Sequence, residues 1–564
     1  MQPPAKDAGG QPILRAYSGG GRSGWWNDTV FYEVFVRSFA DSDTGPLAGD
    51  GIGDIEGLIE NLDYLNDGNP NTSNLGVTGL WLMPICPSPS YHGYDITDYK
   101  DVNKQYGTIE DFRRLMTEAH KRGIKVIIDW VPNHTSSKHP WFLEAMDPKS
   151  QKHDWYIWSP TDPGYKGPWH ETVWHKLKGD SPTPWYYGIF SSQMPDLNYR
   201  NPDVTKAMTD AAAFWLKSAK DGGAGADGFR IDAVRHLIED GQIQENTPET
   251  HAWLKDFHKA YKQISPSAMT VGEVWAGTDV VATYVPDQLD LGFEFDLSSA
   301  IIGAVKEGKS DRLEKTMAKI QVSYPPNQFA TFLSNHDQTR VLTQLGGRID
   351  DAKLAATLLL TLPGVPFIYY GEEIGMTGDK PDEDIRTPMQ WTAGPNAGFT
   401  KGTPWRPVNK GYEAVNVEAE WKSGLSLFDR YRQLTRLRQQ TQALRTGTFL
   451  PIQSDTPGVY AFMRCDEAPT ADGKGTQTQA VVVVLNLSDE QINKYALSRG
   501  VSPLRGPQTA ELKLGKEIFR APKPDSVGGF KDYKAISPLP PKSAFVMVLA
   551  PRDIPEQPGE KPVK

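Results

Sequence analysis

Short runs rich in β-branched and aromatic residues alternate with helix-length amphipathic segments along most of the chain. Eight such runs stand at 29–39, 77–86, 125–133, 226–234, 268–275, 290–297, 329–337 and 364–373. Their near-continuous apolar character is that of strands covered on both faces, which is the habit of parallel sheets. The intervening helical periods, such as 109–122 and 204–220, supply the crossovers. Eight βα units of this kind predict an α/β fold of the (β/α)8 TIM-barrel type. After the third strand, residues 134–199 are rich in Trp, Pro, Gly and Asp and far too long for an ordinary βα loop, so a small inserted domain is expected there. Beyond about residue 440 the helical period stops. Strand-like runs at 458–464, 480–487 and 544–549, separated by turn clusters, predict a C-terminal all-β sandwich. The expected organisation is an N-terminal extension (1–24), a barrel (25–133 and 200–440), the insertion (134–199), the sandwich (441–551) and a tail (552–564).

With 564 residues the chain has room for that barrel and two accessory domains. Lys and Arg number 60 against 70 Asp and Glu, a formal charge of −10, which argues against a nucleic-acid or anionic-membrane partner. The longest apolar stretch, 354–370, is broken by Pro363, Gly364 and Pro366 and reads as a buried helix followed by a buried strand. Residues 1–21 hold no apolar run of the signal-peptide kind. Cys86 and Cys465, the two cysteines, are too far apart in sequence to imply a disulfide framework or a zinc site.

Barrels of this kind carry their chemistry at the C-terminal ends of the strands. The third run ends in Asp129-Trp-Val-Pro-Asn133-His134 and the fourth reads Gly228-Phe-Arg230-Ile-Asp232-Ala-Val-Arg235-His236. The fifth ends in Gly272-Glu273-Val-Trp275 and the seventh in Phe332-Leu-Ser-Asn335-His336-Asp337. Arg230 and Asp232 are two apart on a strand, so they share a face and can pair, which keeps Asp232 ionised as a nucleophile must be. Glu273 on the next strand completes an Asp–Glu couple, the pair that retaining glycosidases hold about 5–5.5 Å apart. One such acid is as well read as a strand cap; four strand ends converging on acid, His and Arg are not.

These four strings resemble the signature regions of the α-amylase superfamily of retaining α-glucan-active enzymes. Residues 79–84, 194–198 and 364–373 resemble three secondary ones, in the same order. The resemblance implies that Asp232 is the nucleophile, Glu273 the general acid/base, and Asp337 a third carboxylate that grips the sugar at the cleavage point. It further implies that Arg230 orients Asp232, that His134 and His336 hydrogen-bond that sugar, and that Tyr94 stacks beneath it. Tyr91 and Asp95 lie in the same segment, Tyr91-His92-Gly93-Tyr94-Asp95. Arg235 and His236 resemble a pair used beyond the cleavage point by endo-acting members.

A calcium cofactor is expected. Clustered carboxylates with bending glycines suit that ion, and Asp41, Asp43, Asp50, Ile52 (through its carbonyl) and Asp54 resemble the calcium loop of the oligo-1,6-glucosidase-like branch, with 44–49 as extra residues. Asn133, Asp196 and the carbonyl of His236 resemble a second calcium site.

The segment 193–198 resembles a subgroup intermediate between oligo-1,6-glucosidases and neopullulanases. Tyr91 stands where exo-acting α-glucosidases carry an aspartate that closes the pocket. An aromatic there leaves an open cleft, so the expectation is endo-hydrolysis of α-1,4 bonds in starch or maltooligosaccharides. Gln390 and Trp391 resemble an element of α-glucosidases and trehalose-forming relatives. An exo-acting α-glucosidase, or a transglucosylase or trehalose-forming isomerase, is therefore the alternative; a non-catalytic glucan-binding relative fits less well, since all three acids are present. A monomer is expected, in a secreted or periplasmic setting with any leader already removed.

Overall fold

The computed structural model describes residues 24–177, 184–469, 476–515 and 519–551. The N-terminal extension before Gly24 and the tail beyond Pro551 lie outside them.

Eight parallel strands close into a barrel in chain order: Phe31–Val34, Gly79–Leu82, Lys125–Trp130, Gly228–Ile231, Met269–Gly272, Leu291–Phe293, Phe329–Thr331 and Val365–Tyr369. Each falls inside one of the eight runs read from the sequence. Phe31 pairs in register with Phe367 on one side and Gly79 on the other, which seals the ring. The runs overshoot at two places. Val36–Phe39 and Phe295–Glu307 are helices that begin directly after the strands Phe31–Val34 and Leu291–Phe293. The stretch 354–370 is the predicted helix and strand, Ile349–Thr361 and Val365–Tyr369.

Alternation along each strand sets the layers. Phe31, Trp81, Ile127, Val271, Leu291, Phe293 and Phe367 fill the barrel interior, with the Phe31 and Phe367 rings stacked at 4.5 Å. Two residues further along, on the same inward faces, come Glu33, Asp129 and Glu273. The packed apolar layer thus forms the floor on which a charged layer rests at the C-terminal mouth.

The insertion folds over one side of that mouth. It holds the helix Pro140–Ala145 and a three-stranded antiparallel sheet of Trp158–Ser159, Trp174–Lys176 and Trp185–Tyr187, around a small core of Val173, Trp174, Tyr187 and Ile189. Residues Asp196 and His134 form an isolated bridge where the insertion leaves and rejoins the barrel.

The C-terminal domain is all-β as expected. Seven strands hydrogen-bond in a single antiparallel order, in which Thr448–Ser454 switches partner along its length: Thr448 to Ile452 pair with Val459–Pro469, and Gln453 and Ser454 pair with Leu497–Arg499. Residues from both parts of this sheet share one core, among them Ile452, Met463, Leu497, Phe530 and Met547. Four of the strands, Thr448–Ser454, Leu497–Arg499, Gln508–Leu514 and Phe530–Tyr533, have no apolar run in the sequence, being short or exposed on one face. Cys86 and Cys465 are free and buried.

Candidate active site

Asp129 and Arg230 are register partners on adjacent strands. Arg230 is 1% exposed, and a guanidinium so enclosed must be met by anions. Three carboxylates meet it: Asp129 Oδ1 at 2.8 Å, Asp232 Oδ1 at 2.7 Å and Glu273 Oε2 at 2.7 Å. Its charge also lies over the rings of Trp81 and Tyr94, at 5.2 and 5.7 Å from their centroids. Asp129 is satisfied from further sides, accepting from Tyr94 Oη at 3.1 Å and Trp81 Nε1 at 3.2 Å.

The turn after the fourth strand aims the couple. Ala233 adopts a left-handed conformation, φ 49°, and its N–H donates to Glu273 Oε2 at 3.2 Å. Non-glycine residues hold such backbone angles where surrounding contacts enforce them, often at functional sites.

Burial lifts the Asp232 carboxyl to about 6 even though Arg230 opposes the shift. Burial, again against Arg230 and with Asp232 and Asp337 as like charges, lifts Glu273 to about 7. Near neutral pH the first is the better anion and the second the better proton donor.

Asp337 lies across from this couple, between two cations. Arg386 Nη2 is 2.7 Å from its Oδ1 and His336 Nε2 is 3.1 Å from its Oδ2. Burial favours its neutral form, but His336 and Arg386 outweigh that and hold Asp337 well below the usual carboxylate range. His336 contacts Tyr94 Oη at 2.6 Å, and the two rings stack at 5.5 Å. One face of the expected sugar platform is therefore packed on His336.

His134 is buried beside Phe190 and its Nε2 has no hydrogen-bond partner; burial drives its imidazole down to about 4, so it is neutral. His236 sits edge-on to Trp169 and Phe190, and its Nδ1 lies 3.0 Å from the Gln244 carbonyl. Arg235 donates to the Trp275 carbonyl at 2.6 Å and pairs with Glu245 at 2.5 Å. Asp95 is turned into its own loop, accepting from Ser88 Oγ at 2.6 Å and from Ser90 Oγ. Tyr91 is stacked on Trp405 at 5.4 Å with the Arg386 guanidinium 5.9 Å from its ring centroid, so its flat faces are largely taken by protein. Gln390 and Trp391 bond to the backbone carbonyls of Val415 and Phe39 and belong to the packing of the barrel.

The acidic loop after the first strand directs its carboxylates at protein donors. Asp41 accepts from Gly49 N at 2.9 Å, Gly51 N at 2.8 Å and Thr400 Oγ1. Asp54 caps the helix Ile55–Glu60 through Gly57 N at 2.8 Å and takes Ser42 Oγ at 2.8 Å. Asp50 takes the N–H of Ile52, and Asp43 pairs with Lys401 at 2.8 Å. A carboxylate oxygen that accepts one hydrogen bond keeps a lone pair, and burial with Asp41 as a like charge raises Asp50 and Asp54, so these contacts are compatible with the expected calcium ion. The second set is different: Asn133 Oδ1 and Asp196 Oδ2 are buried with no donor, and Asp196 is pushed well above its ordinary range by burial and the neighbouring Glu239. Among the described residues, no three His, Cys, Asp or Glu side chains gather as metal ligands, so such a site would rest on amide and carbonyl oxygens as well.

Several site residues escaped the sequence reading. Glu33, Arg386 and the exposed aromatics Trp169, Phe190 and Trp275 were not singled out. A lone acid inside the apolar run at 29–39 was the available signal for Glu33; nothing local marks the others.

Residues 33–447 match the family model for the α-amylase catalytic domain. The chain belongs to the α-amylase family of glycoside hydrolases. It is 41% identical over 443 residues to "Alpha-amylase 3" of Dictyoglomus thermophilum, covering 78% of this chain and 82% of that one. It is 36% identical over 575 residues to "Trehalose synthase/amylase TreS" of Mycolicibacterium smegmatis, covering 92% and 90%. The crystal structure of an α-amylase from H. orenii superposes with a TM-score of 0.77 at 39% identity, covering 93% of this chain and 99% of that chain. Family membership makes the Asp232, Glu273 and Asp337 cluster the place to look for glycosidic bond cleavage.

Proposed function

We propose that this protein is a retaining hydrolase of internal α-1,4-glucosidic bonds in starch and maltooligosaccharides. The observation that carries the chemistry is the single Arg230 guanidinium that grips Asp232 and Glu273 together, at 2.7 Å each, at the mouth of the barrel. Asp232 attacks the anomeric carbon while Glu273 gives its proton to the departing glycosidic oxygen. Glu273, now a carboxylate, takes a proton from water, whose oxygen displaces Asp232 and leaves the α anomer. Asp337, flanked by His336 and Arg386, binds hydroxyls of the sugar that distorts.

The endo reading is supported by exposed aromatic surface around the site. Trp169 and Phe190 are exposed and stacked at 5.9 Å beside His236, and Trp275, two residues past Glu273, has one ring face on Phe295 at 4.9 Å and is otherwise exposed. Ring faces of this kind suit the apolar faces of pyranoses. Tyr91 does not add to that surface, since one face of its ring is stacked on Trp405. Maltoheptaose labelled at its reducing end, digested briefly, should give several product lengths at once; loss of one glucose at a time from the other end would defeat the endo assignment. The relative named as a trehalose synthase/amylase favours a second reading, glucosyl transfer to sugar, which incubation with maltose and assay for trehalose decides.

Calcium at Asn133 Oδ1, Asp196 Oδ2 and the His236 carbonyl is part of this reading. Bound there, the ion would neutralise the buried Asp196 and tie the insertion to the barrel, with no part in the chemical steps.

A further inference from the structure

Glu33 has no role in the chemistry above, yet it occupies a demanding position. It lies on the first barrel strand, two residues beyond Phe31 and on the same inward face. It is 1% exposed. A carboxylate that deep is costly unless a cation meets it. What meets it is His336 Nδ1, at 2.6 Å, from 303 residues further along the chain. The other ring nitrogen faces Asp337 Oδ2 at 3.1 Å and Tyr94 Oη at 2.6 Å.

A neutral imidazole has one N–H and can donate on one side only. His336 has a carboxylate on each side; a neutral ring that gave its N–H to Glu33 would draw the Tyr94 hydroxyl proton onto Nε2 and leave Asp337 Oδ2 and Asp129 Oδ2 without donors from this group, whereas the imidazolium serves both of its carboxylates and leaves that hydroxyl to Asp129. Other charges face it: Asp129 on the third strand, Arg230 on the fourth, and Arg386, which donates to the His336 carbonyl at 2.8 Å. The two arginines oppose a third cation, and Asp337 is already shared with Arg386. Glu33 is thus the acid that belongs to His336 alone among its contacts.

We propose that Glu33 is a positioning residue that keeps His336 doubly protonated, so that a cationic N–H, not a bare nitrogen, is presented to Asp337 and the sugar it holds. Burial works against this charge, but Asp337 and Glu33 outweigh burial and raise His336 to about 9. The consequence for function rests on the hydrolase reading above. The protonation state itself does not.

The test uses full-length protein with 15N-labelled imidazoles, the His336 signals assigned by their loss in His336→Gln. In the wild type both His336 nitrogens should stay protonated to about pH 8 or beyond, well past the ordinary histidine value of about 6.5. Glu33→Gln keeps an acceptor of the same shape and removes the charge. There His336 should titrate at least about one pH unit lower, and kcat/KM should fall about tenfold or more at pH 8, with the loss shrinking toward pH 6. A structural role alone would lower the melting temperature and leave the shape of the pH profile unchanged. A neutral His336 in the wild type at about pH 7.5, or an unshifted titration in Glu33→Gln, overturns the proposal. Should Glu33→Gln fail to fold, the wild-type titration decides by itself. Charged His336 in a protein without glucan hydrolysis would count against the hydrolase reading and leave this assignment standing.

Discussion

Arg230 Nη1 lies 2.8 Å from Asp129 Oδ1, and Asp129 is the most enclosed of the three carboxylates on that guanidinium. This pair ties the third strand to the fourth and fixes the fork on which Asp232 and Glu273 hang. Asp129→Asn should therefore cost about 1.5–3 kcal/mol, the worth of a hydrogen bond to a charged group. It should also lower kcat, because Arg230 is freed to shift toward Asp232. Thermal melting and steady-state kinetics read both; an unchanged melting temperature would show that Asp129 does not anchor the fork.

Asp232→Asn should abolish turnover without unfolding the protein, because an amide has the carboxylate's shape but does not attack carbon. Glu273→Gln should spare an activated aryl glucoside far more than starch, because a good leaving group needs no proton. Equal losses on both substrates would remove Glu273 from the acid/base role.

Activity should follow a narrow bell in pH. Asp232 must be ionised and is lifted to about 6, so kcat/KM rises through that value; Glu273 must be protonated and is lifted to about 7, so kcat/KM falls above it. The two groups titrate as a coupled pair, so the limbs belong to both. A flat profile from pH 5 to 9 would contradict this assignment of roles.

Asn133 and Asp196 lead to a calcium prediction. Binding to the folded state alone stabilises it by about 2.7 kcal/mol at a hundredfold excess over Kd. Added calcium should raise the melting temperature, a chelator should lower it, and Asp196→Asn should erase the response. An identical response in Asp196→Asn would place any calcium elsewhere.

Trp169 projects from the insertion with 57% of its surface exposed. Trp169→Ala should raise KM for maltoheptaose several-fold while leaving an aryl glucoside almost untouched, since only the longer chain reaches it. Equal effects on both substrates would argue against an extended cleft.

The eight strands and the acids at their ends were legible in the sequence, and the reason is local. Burial on both faces makes each barrel strand an apolar run, and alternation alone places Asp129, Arg230, Asp232 and Glu273 on inward faces, one step from their partners on neighbouring strands. The family strings then named their roles. What only the tertiary structure decided depends on closure and on loops. Glu33 meets His336, just past the seventh strand, because the eighth strand pairs with both the first and the seventh and so closes the ring. Arg386 reaches Asp337 from a segment with no strand or long helix, and Tyr91 is taken up by Trp405 rather than left open. The acidic loop reads as a calcium site because carboxylates and glycines recur in it, and the fold adds N–H and O–H donors that hold Asp41 and Asp54 in place. Residue spacing records which groups can share a face; which of their atoms are already satisfied is settled only when distant segments pack together.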